Sequence, residues 1–193
     1  VVPLVLPMSK PYLVLDTNIV LLDAKNIFQL GQEYTLLFPE TTLDEVDAKK
    51  TSSSPEIRYQ VRELGRIMTR ATDLPVREEG PLTITPSQLD NILIEVVSRS
   101  SYPSYEAVDP EIIKDNRIIQ IALDYRDLGK DVTFMTNDIM CNRRARAKGL
   151  RVIDLKIVED RPLEFTRDLE VDSDVFSSLH NTPILEVDPH HEP

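Results

Sequence analysis

The chain has 193 residues, 41% of them hydrophobic, and a formal net charge of −11. That length suits one domain with its own core and excludes a large second domain. Cys141 is the only cysteine, which excludes an internal disulfide and favours a cytoplasmic location. No stretch is apolar over the length that crosses a bilayer, so we expect no membrane partner.

The negative charge is concentrated near the carboxyl terminus. Residues 157–193 contain ten acidic residues and two arginines, whereas residues 1–156 have a net charge of only −3. We therefore expect an N-terminal extension over residues 1–10, a folded domain over residues 11–156 and an acidic tail over residues 157–193. The residues before Met8 would be a remnant of cloning. A nearly neutral domain can still bind a polyanion such as a nucleic acid.

Along the chain, apolar runs alternate with helical patterns, which is typical of an α/β domain. Strands are predicted at residues 12–15, 34–38, 82–84, 92–96, 132–135 and 150–153. Helices are predicted after Asp16, after Pro39, and at residues 56–72, 110–128 and 137–148. The strands at 82–84 and 92–96 favour a hairpin at the edge of the sheet. In the tail, a further strand is predicted at 167–171 and a short helix through 176–179.

Four acids lie where the chain passes from a strand into a helix, or on the inward face of a helix: Asp16, Glu45, Asp115 and Asp138. Open parallel sheets present functional groups at the carboxyl ends of their strands, so acids at several junctions are expected to meet there. Carboxylates without histidine or cysteine suit hard cations such as Mg²⁺ or Mn²⁺. In proteins, these ions mostly serve phosphate chemistry.

Three of these acids also have a structural explanation. Asp16 could cap the helix that follows it. Glu45 could close a capping box that begins at Thr42. Asp138 could favour the dipole of its helix from the first turn, with Asn137 as the cap.

The fourth acid, Asp115, lies on the same face of its predicted helix as Ile112 and Ile119. An ionised carboxylate within an apolar stripe must be paired, hydrogen-bonded or bound to a metal. A salt bridge to a buried lysine or arginine would satisfy Asp115 as well as an ion would.

The segments around the four acids resemble the motifs of the PIN-domain nucleases, in the same order along the chain. They include LVLDTN at 13–18, LDEVD at 43–47, KDN at 114–116 and TND at 136–138. Over residues 12–155 the chain is most similar to the PIN half of PhoH-like proteins, in which the domain precedes an ATPase. The phosphate-binding G-x-x-x-x-G-K-[ST] loop of that ATPase is absent from the sequence.

The resemblance implies a doubly wound, mostly parallel central sheet flanked by helices. It also implies four catalytic residues that bind one or two Mg²⁺ or Mn²⁺ ions: Asp16, Glu45, Asp115 and Asp138. Asn18, Thr136 and Asn137 become candidates for supporting these ligands. The implied activity is that of an endoribonuclease, in which a metal-activated water cuts single-stranded RNA, with single-stranded DNA as another substrate. A homodimer, a separate ATPase and an inhibitor protein stay open as partners.

Basic residues that could bind phosphate lie near the acids in sequence. We predict substrate binding by Lys49, Lys50, Arg58, Arg62, Arg143 and Arg144. The arginines of the helix at 56–72 recur at intervals of four, from Arg58 to Arg70, and could equally form a solvated face balanced by glutamates. Tyr102 and Tyr105 could stack on unpaired bases.

Two other functions stay open. A magnesium-dependent phosphatase would use Asp16 as a covalent nucleophile, but such enzymes usually need a second Asp where this chain has Asn18. A catalytically silent PIN module would bind RNA or protein without cleavage. The tail holds all three histidines without zinc-type spacing, and its charge could compete with RNA for the basic groups.

Overall fold

The structure, a computed structural model, describes residues 10–105 and 109–155. In these ranges the strands are β1 (Tyr12–Leu15), β2 (Thr35–Pro39), β3 (Thr72–Asp73), β4 (Arg77–Glu79), β5 (Leu82–Leu89), β6 (Ile92–Arg99), β7 (Val132–Met135) and β8 (Val152–Ile153). The helices are α1 (Thr17–Leu22), α2 (Asn26–Glu33), α3 (Glu40–Ala48), α4 (Pro55–Arg70), α5 (Pro110–Asp127) and α6 (Ile139–Ala147). A 3-10 turn at Lys49–Thr51 joins α3 to α4.

The strands form one sheet in the order β3-β5-β6-β2-β1-β7-β8, and β4 also pairs with β5. From β6 to β8 all neighbouring strands are parallel. β5 runs antiparallel to β6, and β3 and β4 run antiparallel to β5. The chain places β2 on one side of β1 and later returns to place β7 on the other. The carboxyl ends of β1 and β7 therefore flank the switch point at which open α/β sheets bind ligands.

Both faces of the sheet are covered by helices. Alternate side chains of a strand point to opposite faces, so Leu13 and Leu15 pack in one layer and Val14 in the other. The first layer is completed by α1, α2, α3 and α4, and the second by α5 and α6. The predicted α/β fold with a mostly parallel, helix-flanked sheet is confirmed.

The predicted hairpin forms from β5 and β6, but only part of it lies at the edge. β6 is an interior strand because it pairs in parallel with β2, and β3 and β4 extend the sheet beyond β5. β3, β4 and α2 were not predicted from the sequence. A Cβ on Gly31 would lie 2.4 Å from Ile92 Cγ2, so only glycine allows α2 to approach β6 this closely.

The long helices begin close to where the sequence predicts them. Pro110 opens α5, and the Asp109 side chain caps it by accepting from the N–H of Glu111 at 2.9 Å. The strand and helix predicted in the tail lie outside the described residues. Among the described residues, no helix combines the length and hydrophobicity that crossing a bilayer requires.

Candidate active site

A cavity of about 400 Å³ opens at the carboxyl ends of β1 and β7. The structure brings the four predicted acids to this cavity from four separate elements. Asp16 follows β1 and Asp138 precedes α6, while α3 contributes Glu45 and α5 contributes Asp115. The rest of the lining comprises Thr17, Asn18, Leu21, Ala48, Lys49, Glu111 and Lys114.

Asp16 is held in place by β7, by Thr136 directly after it, and by α1. Its backbone N–H donates to the carbonyl of Met135 at 3.1 Å, which extends the pairing of β1 with β7. Its Oδ1 accepts from the N–H of Thr17 at 2.7 Å and so caps α1, while its Oδ2 accepts from the hydroxyl of Thr136 at 2.6 Å. The two explanations of Asp16, helix cap and site residue, are therefore compatible.

The Asp16 carboxyl is 3% exposed, and burial raises its pKa. The hydrogen bonds from Thr136 and Thr17 favour the ionised form and oppose this effect. The negative charges of Glu45 and Asp138 add to the increase in pKa. Asp16 therefore lies where a carboxylate charge is poorly compensated.

Thr136 joins Asp16 to Asp138. Its fully buried hydroxyl donates to Asp16 and accepts from the backbone N–H of Asp138 at 3.1 Å. The Asp138 side chain caps α6 by accepting from the N–H of Cys141 at 2.7 Å. The expectation that Asn137 is the cap and Asp138 a first-turn acid is therefore wrong, because α6 begins one residue after Asp138.

The capping box predicted for Glu45 does not form. α3 begins at Glu40, so Thr42 lies inside the helix rather than at its cap. The Thr42 hydroxyl donates instead to the carbonyl of Leu15 at 3.1 Å, which ties α3 to the end of β1. This tertiary hydrogen bond replaces the local one and leaves the Glu45 side chain directed into the cavity.

Within the cavity Glu45 contacts two other segments. Its carboxylate accepts a short hydrogen bond from the hydroxyl of Thr17 and lies 3.4 Å from the ammonium of Lys114. Lys114 also contacts Glu111 at 2.7 Å. Lys114 thus supplies one of the positive charges between the acids.

Asp115 forms an ion pair with Arg144 of α6. The salt bridge considered as an alternative for Asp115 therefore exists. Even so, burial and the charge of Asp16 raise the pKa of Asp115 to about 6, against the opposing effect of Arg144. The Nε of Arg144 is buried without a hydrogen-bond partner among the described residues. The pair therefore leaves both the acid and the guanidinium incompletely satisfied.

A family model described as PIN domain matches residues 13–156. The chain belongs to the PIN domain family. PIN domains are generally nucleases that use divalent metal ions. Among solved structures, the chain is similar to "A domain of a functionally unknown protein from Methanocaldococcus jannaschii DSM 2661", with 17% identity and a TM-score of 0.49. That similarity covers 84% of this chain and 99% of the other. No curated protein matches the chain.

The donor set of this PIN domain suits a hard divalent cation. The acids that line the cavity offer only oxygen ligands, and they outnumber the nearby cations Lys49, Lys114 and Arg144. In the described residues, however, no three acidic, histidine or cysteine side chains are placed to hold an ion together. Two of the carboxylates are bound by protein donors instead, Asp16 by Thr136 and Asp115 by Arg144.

The other predicted residues of the PIN domain divide into two groups. Asn18 and Lys49 line the cavity. Asn137 does not line it, and its side-chain oxygen accepts from the N–H of Leu155 at 2.8 Å. Arg143 is exposed on α6, and Arg144, also predicted to bind substrate, forms the ion pair with Asp115.

Lys50, Arg58 and Arg62 lie outside this cavity and line a neighbouring one. The two tyrosines pack against the protein. The guanidinium groups of Arg99 and Arg117 lie 5.9 and 5.2 Å from the centre of the Tyr102 ring, and the Tyr105 hydroxyl donates to a backbone carbonyl of α5.

The sequence prediction missed two polar residues of the cavity on α5. Glu111 and Lys114 lie four residues and one residue before Asp115, so residues 111 and 115 share one face of the helix. That spacing could have identified Glu111. The contact of Lys114 with Glu45 depends on the packing of α5 against α3, which no local pattern shows.

Proposed function

We propose that this PIN domain is a divalent-metal-dependent endoribonuclease that hydrolyses phosphodiester bonds of single-stranded RNA. The observation that carries the proposal is the meeting of four carboxylates, from four separate elements, in one cavity at the switch point of the sheet. Membership of a family that generally has nuclease activity supports it. The choice of RNA as the substrate and of the PhoH-like subtype rests on the resemblance of the sequence motifs.

In this proposal the acids have distinct roles. Asp16, Asp115 and Asp138 would bind the metal, and Glu45 would either bind it too or orient the attacking water. Divalent-ion binding would supply activation of that water and compensation of the charge that develops on the phosphate. Thr136 orients Asp16 through the hydroxyl hydrogen bond of 2.6 Å.

The cations around the cavity would bind the phosphates of the substrate. Lys49 lines the cavity from the 3-10 turn, and Lys114 lies between Glu45 and Glu111. Arg144 is paired with Asp115, and a metal bound to Asp115 would compete with that pair. The freed guanidinium would then be available to a phosphate oxygen, which it matches with two parallel donors.

The test is cleavage of a labelled single-stranded RNA in the presence of Mn²⁺ or of a chelator. Chelator is expected to abolish cleavage. Loss of a group that only supports a ligand already costs about 10- to 100-fold, so Asp16→Asn, which changes a proposed ligand, is expected to lower the rate by at least about 100-fold. Asp44→Asn is the matched control, because Asp44 is exposed beside Glu45 and does not line the cavity.

Cleavage that persists in chelator, or in Asp16→Asn, would contradict the metal-dependent mechanism. Binding of RNA by the wild-type protein without any cleavage would favour the catalytically silent module instead. Hydrolysis of a phosphate monoester in place of RNA would favour the phosphatase.

A further inference from the structure

A second basic surface lies along α4. Two cavities, of about 350 and 670 Å³, follow this helix and share Arg62 and Gly65 in their lining. We refer to them together as the α4 groove. Its basic residues are Lys50, Arg58, Arg62, Arg66 and Arg70.

The α4 groove begins beside the active-site cavity. Lys49 lines the active-site cavity and the next residue, Lys50, lines the groove. Both belong to the 3-10 turn at Lys49–Thr51, which packs against α4. The 3-10 turn therefore lies between the active-site cavity and the groove.

The positive charges of the groove are available to a ligand. Arg66 pairs with Glu63 at 3.2 Å and Lys50 pairs with Asp47, but exposed pairs of this kind are weak. Among the described residues, no carboxylate lies within 4.0 Å of the guanidinium of Arg62 or Arg70. A polyanion would therefore break only weak ion pairs when it binds here.

The spacing of the arginines suits a repeating anion. Residues four apart on a helix are neighbours, separated by about 6 Å along its axis, which is comparable with the step between phosphates of an extended strand. Each guanidinium can bind a phosphate oxygen pair. Gly65 lies between Arg62 and Arg66, and a Cβ there would meet nothing within 4 Å. Glycine lowers helix stability relative to alanine, but here it leaves the groove open.

We propose that the α4 groove binds the sugar-phosphate backbone of the RNA strand whose bond is cut, at nucleotides beyond the cleaved bond. The identity of the strand rests on the function proposed above. The groove would add affinity for long substrates and none for very short ones.

The test is binding of a fluorescent single-stranded RNA of about twelve nucleotides, a length within the range that single-strand sites cover. It is measured in chelator, so that no cleavage is needed, over a range of salt concentrations. The test variant is Arg62→Gln with Arg66→Gln. Each lost phosphate contact lowers the slope of log affinity against log salt by about 0.7, so we expect a decrease of about 1.4. When the salt concentration is lowered from 1 M to 0.1 M, the RNA affinity of the test variant should therefore rise about 25-fold less than that of the wild type.

The matched control is Arg126→Gln with Arg151→Gln. These two arginines line a cavity at the amino ends of β7 and β8, so the control removes the same charge at the opposite end of the parallel strands. Its salt slope is expected to equal that of the wild type. Equal slopes in the test and control variants would overturn the proposal. So would binding of an acidic peptide without binding of RNA.

Cleavage separates this proposal from the function on which it rests. With Mn²⁺, the test variant should lose kcat/KM on the long RNA but not on an RNA of about four nucleotides. An equal loss on both lengths would overturn the proposal. If the wild type cuts no RNA but the salt slope of binding is still lower in the test variant, the nuclease proposal is wrong and the proposal that the α4 groove binds RNA is supported.

Discussion

Two groups of buried carboxylates in this PIN domain differ in how their charge is balanced. On β6, Glu95 is 1% exposed and accepts from Arg77 and from the Tyr125 hydroxyl, both at 2.7 Å. Glu79 contacts Arg77 and Lys130, both at 2.8 Å. Two acids thus meet two cations, and the hydrogen bonds from Lys130 and Arg77 lower the pKa of Glu79.

The active-site cavity shows the opposite balance. Its acids outnumber the cations around them, and the pKa values of Asp16 and Asp115 are raised. A buried acid with a full set of partners stabilises one structure, whereas a surplus of acids is favourable only if a further cation binds. The difference fits a stabilising role of the Glu95 group and the ion binding proposed for the cavity.

The largest effect that would sharpen this comparison is on stability. Glu95→Gln removes the charge that pairs with Arg77 in a buried place, so we expect the free energy of unfolding in urea to fall by about 3 kcal/mol. RNA cleavage by the folded variant should be unchanged. Glu78→Gln, at an exposed neighbour on β4, should change stability by less than about 0.5 kcal/mol. Lost cleavage in fully folded Glu95→Gln would break the comparison.

A smaller effect is expected from the hydroxyl that supports Asp16. Thr136→Val removes the donor to Asp16 Oδ2, and such losses typically weaken metal binding by about 10- to 100-fold. Calorimetric titration with Mn²⁺ measures the change. Thr133→Val makes the same substitution at a buried position of β7 and should bind Mn²⁺ as the wild type does. Equal affinities in the two variants would show that Thr136 does not support a ligand.

The pH dependence of stability tests the surplus of negative charge. The pKa of Asp115 is 3.8 in its reference state and about 6 in the fold, so ionising it costs folding free energy. Asp115 therefore contributes stability as a protonated carboxyl. That stability is fully present below the lower pKa and is lost as the pH rises through the upper one. In chelator at about pH 7.5, Asp115→Asn should therefore be more stable than the wild type by about 1 kcal/mol, after allowance for partial exposure.

At about pH 4 that difference in stability should vanish, because Asp115 is then protonated in the folded wild type. Denaturant unfolding at the two pH values gives both numbers. A variant less stable than the wild type at the higher pH would mean that the Arg144 pair compensates the charge fully.

The smallest effect concerns the competition between Arg144 and a metal for Asp115. Arg144→Gln removes a partly exposed ion pair of about 0.5–1 kcal/mol, so Mn²⁺ should bind about two- to fivefold more tightly. Cleavage should fall at the same time, because a phosphate ligand is lost. Arg143→Gln, at the exposed neighbour, should leave Mn²⁺ affinity unchanged. Weaker Mn²⁺ binding in Arg144→Gln would contradict the competition.

The parts of the fold that followed from sequence are those in which local pattern and tertiary structure agree. β1 and β7 have the predicted bounds because four-residue apolar runs end at polar junctions and both faces of the strands are buried. The same rule for parallel strands placed Asp16 and Asp138 at one edge of the sheet.

The failures occurred where a distant contact decides the structure. Thr42 fits a capping box in sequence, but its hydroxyl bonds to the end of β1. The burial of Glu95 was not predicted either, because its partners Tyr125 and Arg77 come from distant parts of the chain. The pairing of Arg144 with Asp115 joins two helices that are separate in sequence.

The most direct test of the ion site is an anomalous difference map from crystals grown with Mn²⁺. One or two peaks should lie in the cavity in contact with Asp16, Asp115 and Asp138, with the Arg144 guanidinium displaced from Asp115. A map in which Mn²⁺ contacts none of these three carboxylates, from crystals of protein that cleaves RNA with Mn²⁺, would contradict the account.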